Sequence, residues 1–177
     1  MEKQTNKVNQ RKICIENRKG LSLDIRNNYS HIICEKLKPY LIDKAILSYS
    51  PFLEEVDVNE INNTFEVYYP VISKDKTMKA YKPNNNLFIR DFYGIKEPDI
   101  NDATYIDSKD LDVIIVPMVG FDLNKYRLGN GGGYYDRYLM NTDALKIGVA
   151  YDIQKCEFPV EEFDIALDKI ITEKNIY

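Results

Sequence analysis

The sequence predicts an α/β fold built around a mostly parallel sheet. Helical periodicity dominates the start of the 177-residue chain, and short strand patterns separated by turns follow it. The run LDVIIV at residues 111–116 is almost continuously apolar, which is typical of a central strand covered on both faces. A chain of this length is expected to form a single domain, which we place at residues 1–177.

Two helices are expected first along the chain. The first spans residues 3–19 and ends at Gly20, which suits a C-terminal cap. One face of it carries residues at i, i+4, i+7 and i+11, namely Lys7, Arg11, Cys14 and Arg18. Ser22 suits the N-cap of the second helix, which Pro39 ends. The apolar stripe of the second helix consists of Ile25, Tyr29, Ile32, Ile33 and Leu37.

Strand patterns follow the helices. Residues 65–72 and 78–82 are expected to pair as a hairpin across a polar turn. Residues 133–140, directly after a group of glycines, look helical. Further strands are expected at residues 45–49, 111–116, 146–151 and 169–172.

Composition excludes several classes of protein. Charged residues make up 29% and hydrophobic residues 44% of the chain, as in ordinary folded domains. No apolar run reaches the roughly 18 residues of a membrane span, and no signal-peptide pattern occurs, so we expect a cytoplasmic protein without membrane contact. The net charge of −4 argues against nucleic-acid binding. Neither a zinc site nor a disulfide framework is indicated by the three cysteines, Cys14, Cys34 and Cys156.

Positive charge is concentrated at the start of the chain. Residues 1–20 carry six Lys or Arg against two Glu, a net +4 that leaves −8 for the remainder. This asymmetry favours an anionic ligand beside the first helix, although a solvated basic helix explains the charge equally well.

Glycine is scarce and clustered. Four of the eight glycines lie within residues 129–133, between a strand and a predicted helix, with Arg127 beside them. Such a loop lets an anion approach backbone amides closely, so a phosphate site is favoured over a sharp turn without a ligand. The loop matches neither the P-loop nor the dinucleotide fingerprint. Asp136, in the first helical turn, suits either the helix dipole or a Mg²⁺ ion.

These residues resemble a known family, the 5-formyltetrahydrofolate cyclo-ligases, also called methenyltetrahydrofolate synthetases. The most specific segment is RLGNGGGYYDRYL at residues 127–139. Lys7 and Arg11 match the basic residues of the family's first helix. Five weaker segments also occur in family order, at residues 19–37 (KGLSLDIRNNYSHIICEKL), 48–58 (SYSPFLEEVDV), 93–98 (YGIKEP), 113–117 (VIIVP) and 158–173 (FPVEEFDIALDKIITE).

The resemblance implies a three-layer α/β/α fold, Rossmann-like, with a mostly parallel central sheet. It implies an enzyme of one-carbon metabolism that uses ATP and Mg²⁺ to convert 5-formyltetrahydrofolate into 5,10-methenyltetrahydrofolate, releasing ADP and phosphate. In the implied mechanism the formyl oxygen attacks the γ-phosphate, and the 10-position nitrogen then closes the ring. The implied partner is this folate, with or without a polyglutamate tail, and we expect a monomer.

The resemblance also assigns roles to residues of this chain. The implied catalytic residues are Arg127 and Lys7. The implied metal ligands are Asp136 and Asp164. The implied substrate contacts are Ser50, Glu55, Tyr134 and Tyr135. The implied ATP contacts are Lys7, Arg11, Arg127, Leu128, Gly129, Asn130, Gly131, Gly132, Gly133, Tyr134 and Tyr135.

Four positions depart from the family pattern. Met118, Lys125 and Glu54 stand where glycine is common. Phe163 stands where a histidine commonly precedes the second metal-site aspartate. His31, the only histidine of the chain, lies away from these motifs, so no histidine base is predicted.

Two other functions stay open. A non-catalytic folate- or nucleotide-binding module would fit the departures at Met118 and Phe163. An ATP phosphotransferase acting on another small molecule would fit the glycine loop, but it would leave Glu55 without the pterin-like partner that explains this acid.

Overall fold

The computed structural model describes residues 6–177. Its helices are α1 (Lys7–Lys19), α2 (Leu23–Leu37), α3 (Asn59–Thr64) and α4 (Tyr134–Leu139). Its strands are β1 (Ile46–Leu47), β2 (Val67–Ile72), β3 (Met78–Pro83), β4 (Phe88–Arg90), β5 (Lys96–Pro98), β6 (Ala103–Ile106), β7 (Val113–Pro117), β8 (Gly120–Phe121), β9 (Arg127–Leu128), β10 (Leu145–Val149) and β11 (Lys169–Ile171).

The two long helices begin and end near their predicted positions. Helix α1 is closed by Gly20, which keeps a right-handed conformation at φ −68°. The Ser22 side chain accepts a hydrogen bond from Ile25 N at the start of α2, as its N-cap role requires. Residues 3–5, the predicted start of the first helix, lie outside the described residues. No helix within residues 6–177 is both long and apolar enough to cross a membrane.

The central sheet has seven strands in the order β11-β10-β7-β1-β2-β3-β6. Strands β11, β10, β7, β1 and β2 are parallel to one another, and β3 and β6 add an antiparallel edge. Strand β7 lies between β10 and β1, which confirms the central position predicted from LDVIIV. The predicted hairpin is also confirmed, because β2 pairs antiparallel with β3.

Successive side chains of β7 point to opposite faces of the sheet, and each face is covered by helices, which gives three layers. Val113 and Ile115 pack in one hydrophobic cluster with Ile33 and Leu37 of α2. Ile114 and Val116 point to the other face, into a cluster that includes Leu139 of α4. Because successive side chains of a strand point to opposite faces, one apolar run supplies both cores. The predicted α/β/α class with a mostly parallel sheet is therefore confirmed.

Some local predictions were wrong. Strand β1 has only two residues, because pairing is limited to Ile46 and Leu47 on both of its sides. The predicted stripe of α2 includes Ile25, which is exposed, while Ser30 and Cys34 are buried instead. The elements that pack against α2 determine which of its faces is buried, and local periodicity alone does not specify that face. Several short elements were not predicted, namely α3, β4, β5, β6, β8 and β9.

Candidate active site

A cavity of about 600 Å³ lies beyond the carboxyl ends of three parallel strands. Tyr49 and Ser50 reach it from the end of β1, Ile72 from β2, and Pro117 and Met118 from β7. This is the edge where open α/β sheets bind ligands. Every residue to which the sequence assigned a role lines this single cavity.

The glycine loop adopts a backbone that depends on glycine. Gly131 and Gly133 have φ of +96° and +67°, in the left-handed region that side chains disfavour. A Cβ on Gly129 would lie 2.4 Å from Nη1 of Arg127. The loop therefore combines two residues in the left-handed region with close contact between the backbone and the guanidinium.

Arg127 is held at the loop by Asp136. The arginine is buried, and its Nη2 donates to Oδ2 of Asp136 at 2.8 Å. Its guanidinium carbon lies 5.3 Å from the ring centre of Tyr135, a cation–π distance. Within residues 6–177, Nε of Arg127 has no hydrogen-bond partner. Arg127 therefore keeps donor capacity for a ligand while Asp136 neutralises its charge.

Helix α1 brings two basic side chains to the same loop. Arg11 Nε donates to the carbonyl oxygen of Gly129 at 2.7 Å. Lys7 Nζ donates to Oδ2 of Asp164 at 2.6 Å and also bonds to Glu161. Burial acts to lower the pKa of Lys7, but hydrogen bonds to these two carboxylates outweigh burial and raise its pKa. Lys7 is therefore a protonated cation at the cavity.

Asp136 and Asp164 each retain one carboxylate oxygen for another partner. Their hydrogen bonds use Oδ2, and among the described residues Oδ1 of neither takes part in one. Within residues 6–177, the only cluster of three side chains that could together ligate a metal ion consists of His31, Glu35 and Glu60, and it lies away from the cavity. A cation at either aspartate would need oxygens from phosphate or water, which is the coordination that Mg²⁺ prefers.

The part of the cavity wall near Arg18 contains a half-buried acid. We call this part the far end, because Arg18 lies about two helical turns along α1 from Arg11, which is bonded to the glycine loop. Glu55 Oε2 accepts a hydrogen bond from Phe52 N at 3.0 Å. Burial raises the pKa of Glu55 to about 7, against opposing contributions from that hydrogen bond and from Arg18. Burial also raises the pKa of Tyr135, whose Oη is buried with no hydrogen-bond partner in residues 6–177. This unsatisfied hydroxyl is suited to a polar ligand.

Sequence reasoning missed several cavity residues. Arg18 lines the cavity and lies on the predicted basic face of α1, but no role was predicted for it. Its helical spacing from Lys7 and Arg11 could have indicated that it faces the same cavity. The β4–β5 hairpin contributes Tyr93 and Glu97, both inside the quoted segment YGIKEP. A short hairpin gives little periodicity, so its contact with the cavity was not predictable from local pattern.

The departures from the family pattern are accommodated locally. Lys125, at a common glycine position, has φ of +67°, so the chain keeps the backbone conformation that glycine would favour. Met118 is buried in a hydrophobic cluster beneath the cavity. Phe163 is exposed, and its ring centre lies 5.8 Å from Nζ of Lys7. The charged residues of the cavity are thus retained around these substitutions.

The fold and the cavity define a three-layer α/β/α protein with its ligand site at the carboxyl edge of the sheet. The model of the 5-formyltetrahydrofolate cyclo-ligase family matches residues 11–173. The chain belongs to this family, which is a family of enzymes.

Relatives and solved structures agree with this membership. The chain is 32% identical over 176 residues to a 5-formyltetrahydrofolate cyclo-ligase of Mycoplasma pneumoniae, covering 93% of this chain and 96% of the relative. It is 36% identical over 115 residues to the enzyme of Escherichia coli K12, covering 63% of each chain. A 5,10-methenyltetrahydrofolate synthetase structure from Aquifex aeolicus matches with a TM-score of 0.83 and 33% identity, covering 96% of this chain and 91% of that one. The Mycoplasma pneumoniae synthetase structure matches with a TM-score of 0.78 and 28% identity, covering 96% and 99%.

Proposed function

We propose that this protein converts 5-formyltetrahydrofolate into 5,10-methenyltetrahydrofolate, coupled to cleavage of ATP into ADP and phosphate. The observation that carries this proposal is that a glycine loop, basic side chains and a half-buried acid line one cavity. The names of the relatives supply the substrate, and the cavity supplies groups suited to a phosphate at one end and a donor-rich ring at the other.

The loop end of the cavity suits a triphosphate. Lys7, Arg11 and Arg127 place three positive charges around the glycine backbone. Guanidinium groups bind phosphate oxygens through charge-assisted, often bidentate hydrogen bonds. When bound, ATP supplies the phosphoryl group that turns the formyl oxygen into a good leaving group. The remaining loop residues, Leu128 and Asn130 with the glycines, form the wall against which the phosphates lie.

Mg²⁺ fits the same end. Asp136 and Asp164 each offer a carboxylate oxygen without a hydrogen bond in the described part of the chain. When bound, Mg²⁺ neutralises phosphate charge. A bound Mg²⁺ ion would compete with Arg127 and Lys7 for these aspartates. Both basic side chains would then be free to bind phosphate oxygens.

The far end suits the pterin ring of a folate. A carboxylate at Glu55 accepts hydrogen bonds from the ring's amino and ring N–H donors. Ser50, Tyr134 and Tyr135 line the same cavity as this acid, and the ring centre of Tyr135 lies 5.3 Å from the guanidinium carbon of Arg127. An aromatic side chain at such a position stacks on a flat ring.

The chain's own residues act by positioning and by charge. Phosphoryl transfer needs alignment and neutralisation more than a protein nucleophile. Arg127 and Lys7 stabilise charge that develops on the transferring group, and Glu55 holds the folate so that its formyl oxygen faces the loop. His31, which is exposed and paired with Glu60, takes no part.

The decisive experiment mixes purified protein with 5-formyltetrahydrofolate, ATP and Mg²⁺ and follows absorbance of the methenyl product. We expect product that requires ATP and Mg²⁺, in equal amounts with ADP. Folate binding without turnover by folded protein would favour a binding module. A stable phosphorylated product without ring closure would instead indicate a phosphotransferase. Sedimentation of the same sample tests the expected monomer.

A further inference from the structure

Among the described residues, the Arg18 side chain has no hydrogen-bond or ion-pair partner, although it is buried at the far end of the cavity. The residue is only 6% exposed, and it lines the cavity together with Glu55. Within residues 6–177 its side chain donates no hydrogen bond and forms no ion pair, and its Nε is fully enclosed. We propose that Arg18 is a substrate-binding residue that donates hydrogen bonds to the ring carbonyl oxygen of the folate. This inference rests on the proposed function and extends it.

The other cations of the cavity contrast with Arg18. Lys7 and Arg127 are neutralised by aspartates, and Arg11 donates to the Gly129 carbonyl. Burying an arginine without a carboxylate or a hydrogen-bond acceptor is costly, because much of its hydration is lost without a protein partner in exchange. Arg18 therefore has the features of a group whose partner arrives with the ligand.

The position of Arg18 on α1 separates it from the phosphate end. It lies seven residues beyond Arg11 and eleven beyond Lys7 on the same helical face, so about 10 Å and about 16 Å further along the axis. Arg11 is hydrogen-bonded to the glycine loop, so its position on the helix marks where the loop lies. A phosphate held by the loop would be about two helical turns away from Arg18.

Arg18 and Glu55 together match one edge of a pterin. The ring carries a carbonyl acceptor next to N–H donors, so recognition needs a donor group beside an acceptor group. Glu55 accepts, Arg18 donates, and the two side chains are not within ion-pair distance of each other. The positive charge of Arg18 also acts to lower the pKa of Glu55, which favours the carboxylate that the ring donors need.

The test compares Arg18→Met with Lys12→Met, an exposed position on the same helix. We expect Arg18→Met to raise the KM for 5-formyltetrahydrofolate about 10- to 100-fold, the effect of losing a charged hydrogen bond. The KM for ATP should stay within about twofold, and Lys12→Met should change neither. The ligand-free melting temperature of Arg18→Met should equal or exceed that of the wild type, because an unpartnered buried charge is removed.

A ligand analogue sharpens the assignment. Replacing the ring carbonyl by an amino group turns the acceptor into a donor, which Arg18 would reject. Calorimetry without ATP should therefore find that the wild type prefers the carbonyl compound, and that Arg18→Met reduces this preference at least about tenfold. An unchanged preference would overturn the proposal, as would a rise confined to the KM for ATP.

These outcomes separate the inference from the proposed function. A wild-type protein that binds the folate without forming methenyl product would contradict the proposed function, and calorimetry would still decide the role of Arg18. A wild-type protein that binds no folate would overturn both. A lower melting temperature of Arg18→Met with unchanged KM values would assign Arg18 to structure alone.

Discussion

The two ends of the cavity differ in how their charges are held. At the loop end, Arg127 is paired with Asp136 and Lys7 with Asp164. At the far end, Arg18 is buried and Glu55 is half-buried without a mutual ion pair, and burial raises the pKa of the acid to about 7. Under the proposed function, the loop end would stay neutral until a phosphate and a cation exchange partners with it, whereas the far end would receive the pterin ring, which carries no net charge. We therefore expect the loop end to control kcat and the far end to control the folate KM.

The largest effect is expected from Arg127→Met. Removing the guanidinium from the glycine loop should lower kcat about 10³-fold or more, as loss of an arginine at a transferring phosphoryl group does elsewhere. The folate KM should change little, and steady-state rates of methenyl formation provide the measurement. Lys109→Met, in an exposed turn, is the control. A kcat within threefold of the wild type would remove Arg127 from the chemistry.

A methyl group at Gly129 tests the same arginine without deleting it. Gly129→Ala would place its Cβ 2.4 Å from Nη1 of Arg127, so the flexible guanidinium must move. Such a displacement should cost about 10- to 100-fold in kcat while leaving the melting temperature nearly unchanged. Gly20→Ala, at the cap of α1, is the matched control and should retain full activity. If both variants turned over normally, the position of Arg127 would not matter.

Asp136→Asn tests the proposed role of Asp136 in binding Mg²⁺. The amide keeps the shape of the side chain but removes its charge, so the Mg²⁺ concentration giving half-maximal rate should rise about 10- to 100-fold. Titration of activity with MgCl₂ measures this shift. Asp143→Asn, at an exposed position, should leave the titration unchanged. An unaltered Mg²⁺ dependence in Asp136→Asn would contradict a metal role.

The smallest effect on rate is expected at Glu55, and it should depend on pH. Burial raises its pKa from near 4.5 to about 7, so the wild-type folate KM should rise as pH falls through 7 and the carboxylate is protonated. Glu55→Gln should raise the KM about tenfold at pH 8 and abolish this dependence. Initial rates across pH 5.5 to 8.5 provide the measurement. A KM in Glu55→Gln that still varied with pH would assign the titration to another group.

The same pKa predicts a change in stability. The folded protein binds the Glu55 proton more tightly than the unfolded chain, so this group's contribution to stability is lost as pH rises from about 4.5 to about 7. Glu55→Gln should therefore melt at a higher temperature than the wild type at pH 8, and the difference should shrink at pH 5. Thermal unfolding at both values checks this. A lower melting temperature at pH 8 would mean that the ionised acid stabilises the fold.

The sequence by itself determined the features that adjacent residues encode. The central strand, the ends of α2 and the glycine loop beside Arg127 follow from local pattern, because periodicity and backbone freedom are properties of neighbouring residues. The basic face of α1 also follows, since helical spacing places Lys7, Arg11 and Arg18 in one row. Family resemblance added the remaining site residues, and the structure brings them into one cavity.

Only the tertiary structure decided what depends on distant partners. Lys7 bonds to Asp164 across 157 positions of sequence, which no local pattern specifies. The exposure of Ile25 on α2 and the pKa of Glu55 depend on which elements cover them. Arg18 is the clearest case: its place on the helix was visible in the sequence, but its burial without a partner in residues 6–177 arises only when the chain encloses it. Desolvation and pairing are properties of the folded environment, so they appear only in three dimensions.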